Sequence, residues 1–280
     1  MASRIDNTFA RLRADRQVGL VTYTTAGDPD LPRSAEILKA LDRAGADVLE
    51  VGVPFSDPLA DGPVIQRATE RALAAGGSLR ASLSLVARVR PHVSAPMIVF
   101  SYVNPVMRMG VAAFAEQAAS AGVDGVLALD LPIEEAEEFR EALAASGLDT
   151  IFLLSPTTSD VRIEKAATLG RGFLYGISRL GVTGARDGIA VSAEALARRI
   201  RSHTPMPIAL GFGISRPEHV AEIGGYADAA VVGSALVSLI AQESGSPQLT
   251  ERVEDYVRWL KGDSAEAPAR AGKAREAPRA

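Results

Sequence analysis

The chain has 280 residues, of which 47% are hydrophobic and 23% charged, and it contains no cysteine. The composition is typical of a globular protein with a full-sized core, and it excludes disulfides, thiolate metal sites and cysteine nucleophiles. The net charge of −4 argues against a nucleic-acid surface, which would be basic. The N-terminus lacks the apolar segment of a secretory signal, and no apolar run is long enough to span a membrane, so we expect a cytoplasmic protein.

Apolar periodicity predicts helices that alternate with short strands along most of the chain. A first short helix is indicated by Ile5, Phe9 and Leu12, which recur at helical spacing. Eight strands are expected over residues 19–25, 47–53, 97–102, 124–130, 149–155, 172–178, 207–211 and 228–233. Helices are expected near residues 37–44, 64–75, 79–89, 111–120, 134–146, 159–169, 192–201 and 216–223, then from 234 and over 249–261.

The predicted strands are near-continuous apolar runs, which is typical of parallel strands buried on both faces. Three corners share one pattern, because Gly45, Gly122 and Gly147 each follow a helix and precede an aspartate that opens a strand. Eight strands alternating with helices predict a single-domain α/β fold over residues 1–261 that closes into a (β/α)8 TIM barrel. The N-terminal helix and the short helix after strand eight are additions to it. An open doubly wound sheet is the alternative.

The composition changes after the last predicted helix. Residues 262–280 are rich in alanine, proline, arginine and glutamate and show no periodicity. Such a segment cannot bury enough apolar surface to fold, so we expect a disordered tail.

Two carboxylates lie at or beyond the exit of the second predicted strand, where a barrel carries its active site. Glu50 lies near the end of that strand, and Asp61 follows in a proline-containing loop. A buried charge at a strand end is costly unless it is paired or used. Glu50 could instead pair with Arg179, and Asp61 could be a turn or helix-capping residue.

Other catalytic groups are scarce at the predicted strand ends. His92 and His203 precede strands and His219 falls in a helical pattern, so a histidine metal site is not expected. Neither a nucleotide-binding lysine loop nor a dinucleotide fingerprint occurs. Tyr175 lies inside strand six and could face the barrel mouth, although buried tyrosines are usually core residues. All lysines lie in predicted helices or in the tail: Lys39, Lys165, Lys261 and Lys273.

What remains is acid–base chemistry without a cofactor, carried by carboxylates and a tyrosine.

Glycine clusters follow the last three predicted strands, at residues 181–184, 211–213 and 233–234. Backbone N–H groups and a helix N-terminus suit a phosphate, and barrels often bind phosphate at these loops. A single glycine could be only a turn, but three clusters on successive strands predict a phosphate site. The segment from Arg179 to Ile189 is suited to closing over that site or is merely mobile.

Several of these segments together resemble the alpha subunit of tryptophan synthase. The run from Leu49 to Pro63 matches the signature of that family nearly letter for letter. Further similar segments are residues 25–29, 102–105, 130–132, 156–158 and 178–184, and the similarity covers about residues 3–261 in order. Tyr23 and Leu180 depart from residues found in other members, which affects pocket shape and loop closure rather than the chemistry.

The resemblance implies cleavage of indole-3-glycerol phosphate to indole and D-glyceraldehyde 3-phosphate, the alpha reaction of L-tryptophan biosynthesis. It implies Glu50 as the acid–base residue, Asp61 as the acceptor for the indole N–H, and Tyr175 as a tyrosine beside the glutamate. The remaining implied residues bind the phosphate (Gly184, Gly213, Gly233 and Ser234) or surround the indole (Tyr102, Leu127 and Phe212). No metal or cofactor is implied in this chain. Pyridoxal phosphate is expected only in the partner beta subunit, within an alpha2beta2 heterotetramer.

The implied reaction is a retro-aldol cleavage, for which protonation of indole C3 creates a cation on the ring. Two carboxyls with pKa values pushed apart can divide the work, one giving the proton and one stabilising the charge. Two alternatives stay open. The chain could be another phosphate-binding barrel enzyme, such as an isomerase or a carboxylate-based lyase. It could also be a barrel with little catalytic activity that acts mainly as an allosteric partner of the beta subunit.

Overall fold

The computed structural model describes residues 2–177, 186–211 and 213–263, and for residues 186–191 only the helical backbone. In this part of the chain, nine parallel strands form one sheet in the order β5-β4-β3-β2-β1-β9-β8-β7-β6. The strands are β1 Gly19–Thr25, β2 Val48–Gly52, β3 Met97–Ser101, β4 Gly125–Ala128, β5 Asp149–Thr150, β6 Phe152–Leu154, β7 Leu174–Ile177, β8 Ile208–Gly211 and β9 Ala229–Val232.

The predicted fifth strand is divided into β5 and β6, which lie at the two ends of the strand order. β5 pairs with β4 and β6 pairs with β7, so the sheet closes on itself through this one segment. The closure confirms the predicted (β/α)8 TIM barrel and excludes the open doubly wound sheet.

Helices cover the outside of the sheet, as the alternating pattern predicts. They are α1 Arg4–Asp15, α2 Leu31–Arg43, α3 Pro63–Ala74, α4 Leu79–Val89, α5 Val103–Met109, α6 Val111–Ala121, α7 Glu137–Ala145, α8 Asp160–Leu169, α9 Arg186–His203, α10 Pro217–Gly224, α11 Ser234–Gln242 and α12 Leu249–Leu260. Short 3-10 helices occupy Arg90–His92 and Ile133–Glu135. Among the described residues, no helix is long and apolar enough to cross a membrane.

The structure differs from the sequence prediction at three helices. The third strand ends before Asn104-Pro105 as the sequence predicts, but these two residues also lie in the first turn of a helix that is not predicted, α5, where a proline has no N–H partner to lose. α7 begins only after the 3-10 turn at Ile133–Glu135. α9 begins at Arg186, earlier than predicted. The rest of the predicted closing segment and nearly all of the predicted tail lie outside the described residues.

Helix α1 closes the amino-terminal end of the barrel. Its apolar face, Ile5, Phe9 and Leu12, packs into the same cluster as the side chains that point to the barrel axis. The rings of Phe9 and Phe173 lie 5.4 Å apart. Burying each such side chain contributes about 2 kcal/mol. The interior is therefore accessible from the carboxyl ends of the strands.

Aspartates at the strand starts tie α1 to this closed end. The Asp47 and Asp124 carboxylates accept the backbone N–H groups of Leu20 and Met97 at 2.9 and 2.8 Å. Arg11 and Arg4 of α1 pair with the same two carboxylates at 2.6 and 2.8 Å. The repeated glycine-to-aspartate corner of the sequence is thus structural, and it lies opposite the candidate site.

Candidate active site

Glu50 is a fully buried carboxyl inside the barrel. It follows Val48 by two residues on β2, so its side chain points to the axis as that of Val48 does. Its relative exposure is 0%, and neither carboxyl oxygen has a hydrogen-bond partner among the described residues. Burial raises the pKa of Glu50 to about 8. The group is therefore mostly protonated at neutral pH and can give a proton to a ligand.

Asp61 lies in the loop between β2 and α3, where hydrogen bonds from Tyr102 and from α3 help to fix its position. The Tyr102 hydroxyl donates to Asp61 Oδ2 at 3.1 Å and accepts the Ala60 N–H at 3.0 Å. From the first turns of α3, Gln66 Nε2 donates to the Asp61 carbonyl at 2.9 Å. Gly62, not Asp61, is the N-cap of α3, and no side chain caps that helix. Asp61 is therefore not a helix-capping residue.

The charge state of Asp61 differs from that of Glu50. Partial burial raises the pKa of Asp61 to about 6, and the hydrogen bond from Tyr102 opposes this rise. At pH 7 the Asp61 carboxyl is mostly ionised while the Glu50 carboxyl is mostly neutral. One proton donor and one anion thus stand at the exit of the same strand, which is the division of roles that acid–base catalysis needs.

Tyr102 hydrogen-bonds Asp61 in addition to packing as an apolar side chain. Its ring packs on Phe55 with the centroids 5.0 Å apart, and its hydroxyl makes the two bonds to Ala60 and Asp61. Burial and the nearby Asp61 carboxylate raise the pKa of Tyr102, so the hydroxyl keeps its proton. The tyrosine predicted for the indole pocket is therefore also a support for Asp61.

Tyr175 lies on β7 with its side chain on the axis side of the barrel. A Cβ built at Gly211, on the neighbouring strand β8, would lie 3.2 Å from the Tyr175 hydroxyl oxygen. Burial and the charge of Glu50 raise the pKa of Tyr175. The hydroxyl of Tyr175 therefore keeps its proton at neutral pH.

Apolar side chains form the floor of the open end. Leu127 is fully buried on β4. Partly exposed residues pack above the axial cluster: Phe100, Leu129, Leu153 and Ile177. These surfaces suit a flat aromatic ring, and Phe212, predicted for the same role, lies outside the described residues.

Three of the four predicted phosphate-binding positions follow the neighbouring strands β8 and β9. Gly213 follows β8 with a φ of +73°, which a residue with a side chain rarely adopts. Gly233 and Ser234 follow β9, where Gly233 is the N-cap and Ser234 the first residue of α11. The first N–H groups of a helix lack intrahelical partners and attract anions. Gly184 lies outside the described residues.

Three contributing residues are not predicted as site residues from the sequence. Gln66 fixes the loop that carries Asp61, and Phe55 supports the Tyr102 ring. Tyr23 appears in the sequence only as a departure from the family. Their common signal is position, since Phe55 and Gln66 flank Asp61 and Tyr23 lies near the end of β1. Their roles depend on contacts between segments that sequence spacing does not give.

The fold is a TIM barrel, and two carboxyls of different charge state at one strand exit are typical of an enzyme of this fold that uses acid–base chemistry. Comparison with known proteins specifies it further. The family model of the tryptophan synthase alpha chain matches residues 9–264. The alpha chain of Geotalea uraniireducens is 49% identical over 259 residues, covering 92% of this chain and 97% of that one. That of Carboxydothermus hydrogenoformans is 49% identical over 238 residues, covering 85% and 89%.

Solved structures agree with these relatives. The alpha subunit from Legionella pneumophila superposes with a TM-score of 0.87 at 36% identity, covering 94% of this chain and 98% of that one. A chain of the Pyrococcus furiosus tryptophan synthase complex superposes with a TM-score of 0.82 at 41% identity, covering 87% and 98%. This chain belongs to the tryptophan synthase alpha chain family. It is accordingly a lyase of tryptophan biosynthesis that cleaves indole-3-glycerol phosphate.

Proposed function

We propose that Glu50 and Asp61 divide the chemistry of indole-3-glycerol phosphate cleavage, with Glu50 transferring protons and Asp61 stabilising charge. The observation that supports this assignment most strongly is the state of Glu50. Its buried carboxyl has no hydrogen-bond partner among the described residues, and burial raises its pKa to about 8. A group held in this costly state is characteristic of a catalytic acid.

The proposed reaction begins with proton transfer from the Glu50 carboxyl to C3 of the indole ring. The ring becomes a cation centred on N1, and the ionised Asp61 carboxylate accepts the N1–H bond and stabilises that charge. The bond between C3 and the first side-chain carbon then breaks, and its electron pair restores the aromatic ring. The hydroxyl on that carbon loses its proton to Glu50 and becomes the aldehyde, so Glu50 ends the cycle protonated.

Substrate orientation follows from the positions of the other groups. We assign the phosphate to Gly213, Gly233 and Ser234, where backbone N–H groups at the start of α11 favour an anion. The indole ring then lies over the apolar floor that includes Leu127, with N1 toward Asp61. We assign Tyr175 to the side of the substrate that faces Glu50, because its side chain lies on the axis side of the barrel and its neutral hydroxyl can hydrogen-bond the reacting chain. Gly184 and Phe212 remain assigned by resemblance.

The proposal includes a partner subunit. The Pyrococcus furiosus relative is described as an a2b2 complex with mutual activation. We infer that this chain likewise works with a beta subunit that carries pyridoxal phosphate, while cleavage itself uses only side chains of this chain. Leu59, in the loop that holds Asp61, is 92% exposed, and Met107 on α5 is 61% exposed. Exposed apolar side chains next to the site support a partner surface there.

A cytoplasmic location and a barrel domain over residues 1–261 with a separate tail are part of the same proposal.

The test is indole release from indole-3-glycerol phosphate by the isolated chain, compared between the parent and Glu50→Gln. We expect the variant to bind the substrate and to cleave it about 1,000-fold more slowly or worse. Glu116→Gln, on the exposed surface of α6, is the matched control and should behave like the parent. Cleavage by Glu50→Gln within about threefold of the parent would refute the assignment.

The same assay separates the alternatives. Consumption of the substrate without indole release would indicate an isomerase. A beta subunit that is stimulated by both the parent and Glu50→Ala, with cleavage unaffected by the substitution, would indicate a purely regulatory partner.

A further inference from the structure

Tyr23 carries a buried hydroxyl that the proposed mechanism does not use. The residue is 6% exposed. Among the described residues, its hydroxyl has a hydrogen-bond partner only in Thr25 Oγ1 at 3.5 Å, which is at the outer limit for such a bond. Buried tyrosine hydroxyls normally have a partner at shorter distance, because an unmet hydroxyl costs free energy. Like the Glu50 carboxyl, this group lacks a good partner within the described protein.

The hydroxyl lies next to Glu50, one step closer to the open end of the barrel. Tyr23 of β1 is in register with Glu50 of β2. A Cβ built at Gly52 would lie 2.2 Å from the Tyr23 hydroxyl oxygen, so the hydroxyl is directly over Gly52. Gly52 follows Glu50 by two residues and faces the same side of the strand. The absence of a side chain at residue 52 is what leaves room for the tyrosine.

Packing fixes the ring in this position. The Tyr23 ring meets Phe100 edge to face, with centroids 5.4 Å apart. It also belongs to a small buried cluster with Ala68 of α3 and Val237 of α11. The hydroxyl is therefore a rigidly placed group and not a mobile one.

Strand order places Tyr23 between the two ends of the proposed substrate. β1 pairs with β9 on one side and with β2 on the other. A Cβ built at Gly233, at the start of α11, would lie 3.7 Å from the Tyr23 Cβ atom. If the phosphate of a ligand is bound at Gly233 and its reacting carbon lies at Glu50, the three-carbon chain between them passes the exit of β1.

We propose that the Tyr23 hydroxyl hydrogen-bonds a hydroxyl group on the three-carbon chain of the substrate and so positions the scissile bond against Glu50. This inference rests on the proposed function, because it uses the substrate orientation given there. Burial and the charges of Asp61 and Glu50 raise the pKa of Tyr23, so its hydroxyl remains a neutral donor. Tyr23 is thus a specificity residue for the hydroxylated chain, distinct from the groups that hold the ring and the phosphate.

The test compares two ligands on the Glu50→Gln protein, with and without Tyr23→Phe. One ligand is indole-3-glycerol phosphate, and the other is indol-3-yl-propyl phosphate, which has the same ring, chain and phosphate but no chain hydroxyl. We expect Tyr23→Phe to weaken binding of the first ligand about five- to tenfold, the effect of one neutral hydrogen bond, and to leave binding of the second unchanged. In the protein with Glu50 intact, kcat/KM for indole release should fall by at least as much.

The control is Tyr226→Phe, which makes the same chemical change between α10 and β9, at the opposite end of the barrel. It should leave the affinity of both ligands unchanged. If Tyr23→Phe weakened binding of both ligands equally, the tyrosine would only pack against them; if it weakened binding of neither, the tyrosine would make no contact. Either result would overturn the inference, while indole release by the parent would still support the proposed function. A parent protein that releases no indole would instead refute the proposed function, and the inference with it.

Discussion

Replacing Glu50 with glutamine should stabilise the folded protein even though it removes the proposed catalytic acid. In the folded state the buried carboxyl has a pKa of about 8, against an ordinary value of 4.5. Above pH 4.5 the unfolded chain releases this proton and the folded chain keeps it. The free energy of unfolding therefore decreases as the pH rises from 4.5 to 8, and glutamine, which cannot ionise, removes that penalty.

The size of the effect follows from the two pKa values. Each pH unit between them corresponds to about 1.4 kcal/mol. Relative to the parent, Glu50→Gln should therefore gain about 1 kcal/mol at pH 5 and about 3 kcal/mol at pH 7. The amide and the neutral carboxyl have nearly the same volume and both lack partners, so the pH-independent difference between them should be small.

The measurement is urea-induced unfolding of the parent and the variant at several pH values, followed by circular dichroism. The exposed Glu116→Gln variant should track the parent within about 0.5 kcal/mol at every pH. A Glu50→Gln gain that is absent, or that does not grow between pH 5 and pH 7, would mean that Glu50 is ionised in the folded state, and the reasoning would fail.

Three further substitutions test other contacts. Asp61→Asn should lower kcat for indole release about 100-fold or more while weakening ligand binding less. Equal losses of kcat and of ligand affinity would instead make Asp61 a residue that orders the loop. Tyr102→Phe removes the bond that lowers the pKa of Asp61, so kcat/KM should fall about tenfold and its acidic limb should move to higher pH; an unmoved limb would contradict the contact. Asp47→Asn weakens the contacts with Arg11 and Lys261 at the closed end and should cost about 2–3 kcal/mol in urea unfolding without changing KM; a changed KM would argue against a purely structural role.

The barrel itself is predictable from the sequence because its signals are local. Strand and helix periodicity, and the glycine-to-aspartate corners at Gly45 and Gly122, each depend on neighbouring residues. α5 is not predicted, because from the sequence Asn104-Pro105 indicates only the end of the preceding strand, whereas a proline in the first turn of a helix costs no hydrogen bond. The division of the fifth strand into β5 and β6 depends on how the sheet closes, which no local pattern contains.

The sequence predicts the two carboxyls of the site, but it does not predict the residues that hold them in place. Glu50 and Asp61 stand out because charged residues at the exit of a buried strand are rare, and the family resemblance gives them roles. The hydrogen bonds from Tyr102 and Gln66 that hold Asp61 join segments that are not continuous in the chain. The hydroxyl of Tyr23 is noticed in the sequence only as a difference from relatives, and its position over Gly52 follows from strand register.

The pH dependence of kcat/KM for indole release tests the central claim most directly. The proposed mechanism requires Asp61 ionised and Glu50 protonated, and burial raises their pKa values to about 6 and about 8. We therefore expect a bell-shaped profile that rises through about pH 6 and falls through about pH 8, with the acidic limb lost in Asp61→Asn. A rate that continues to rise through pH 8 would show that the reaction begins with ionised Glu50, and it would contradict the assignment of Glu50 as the acid that protonates C3.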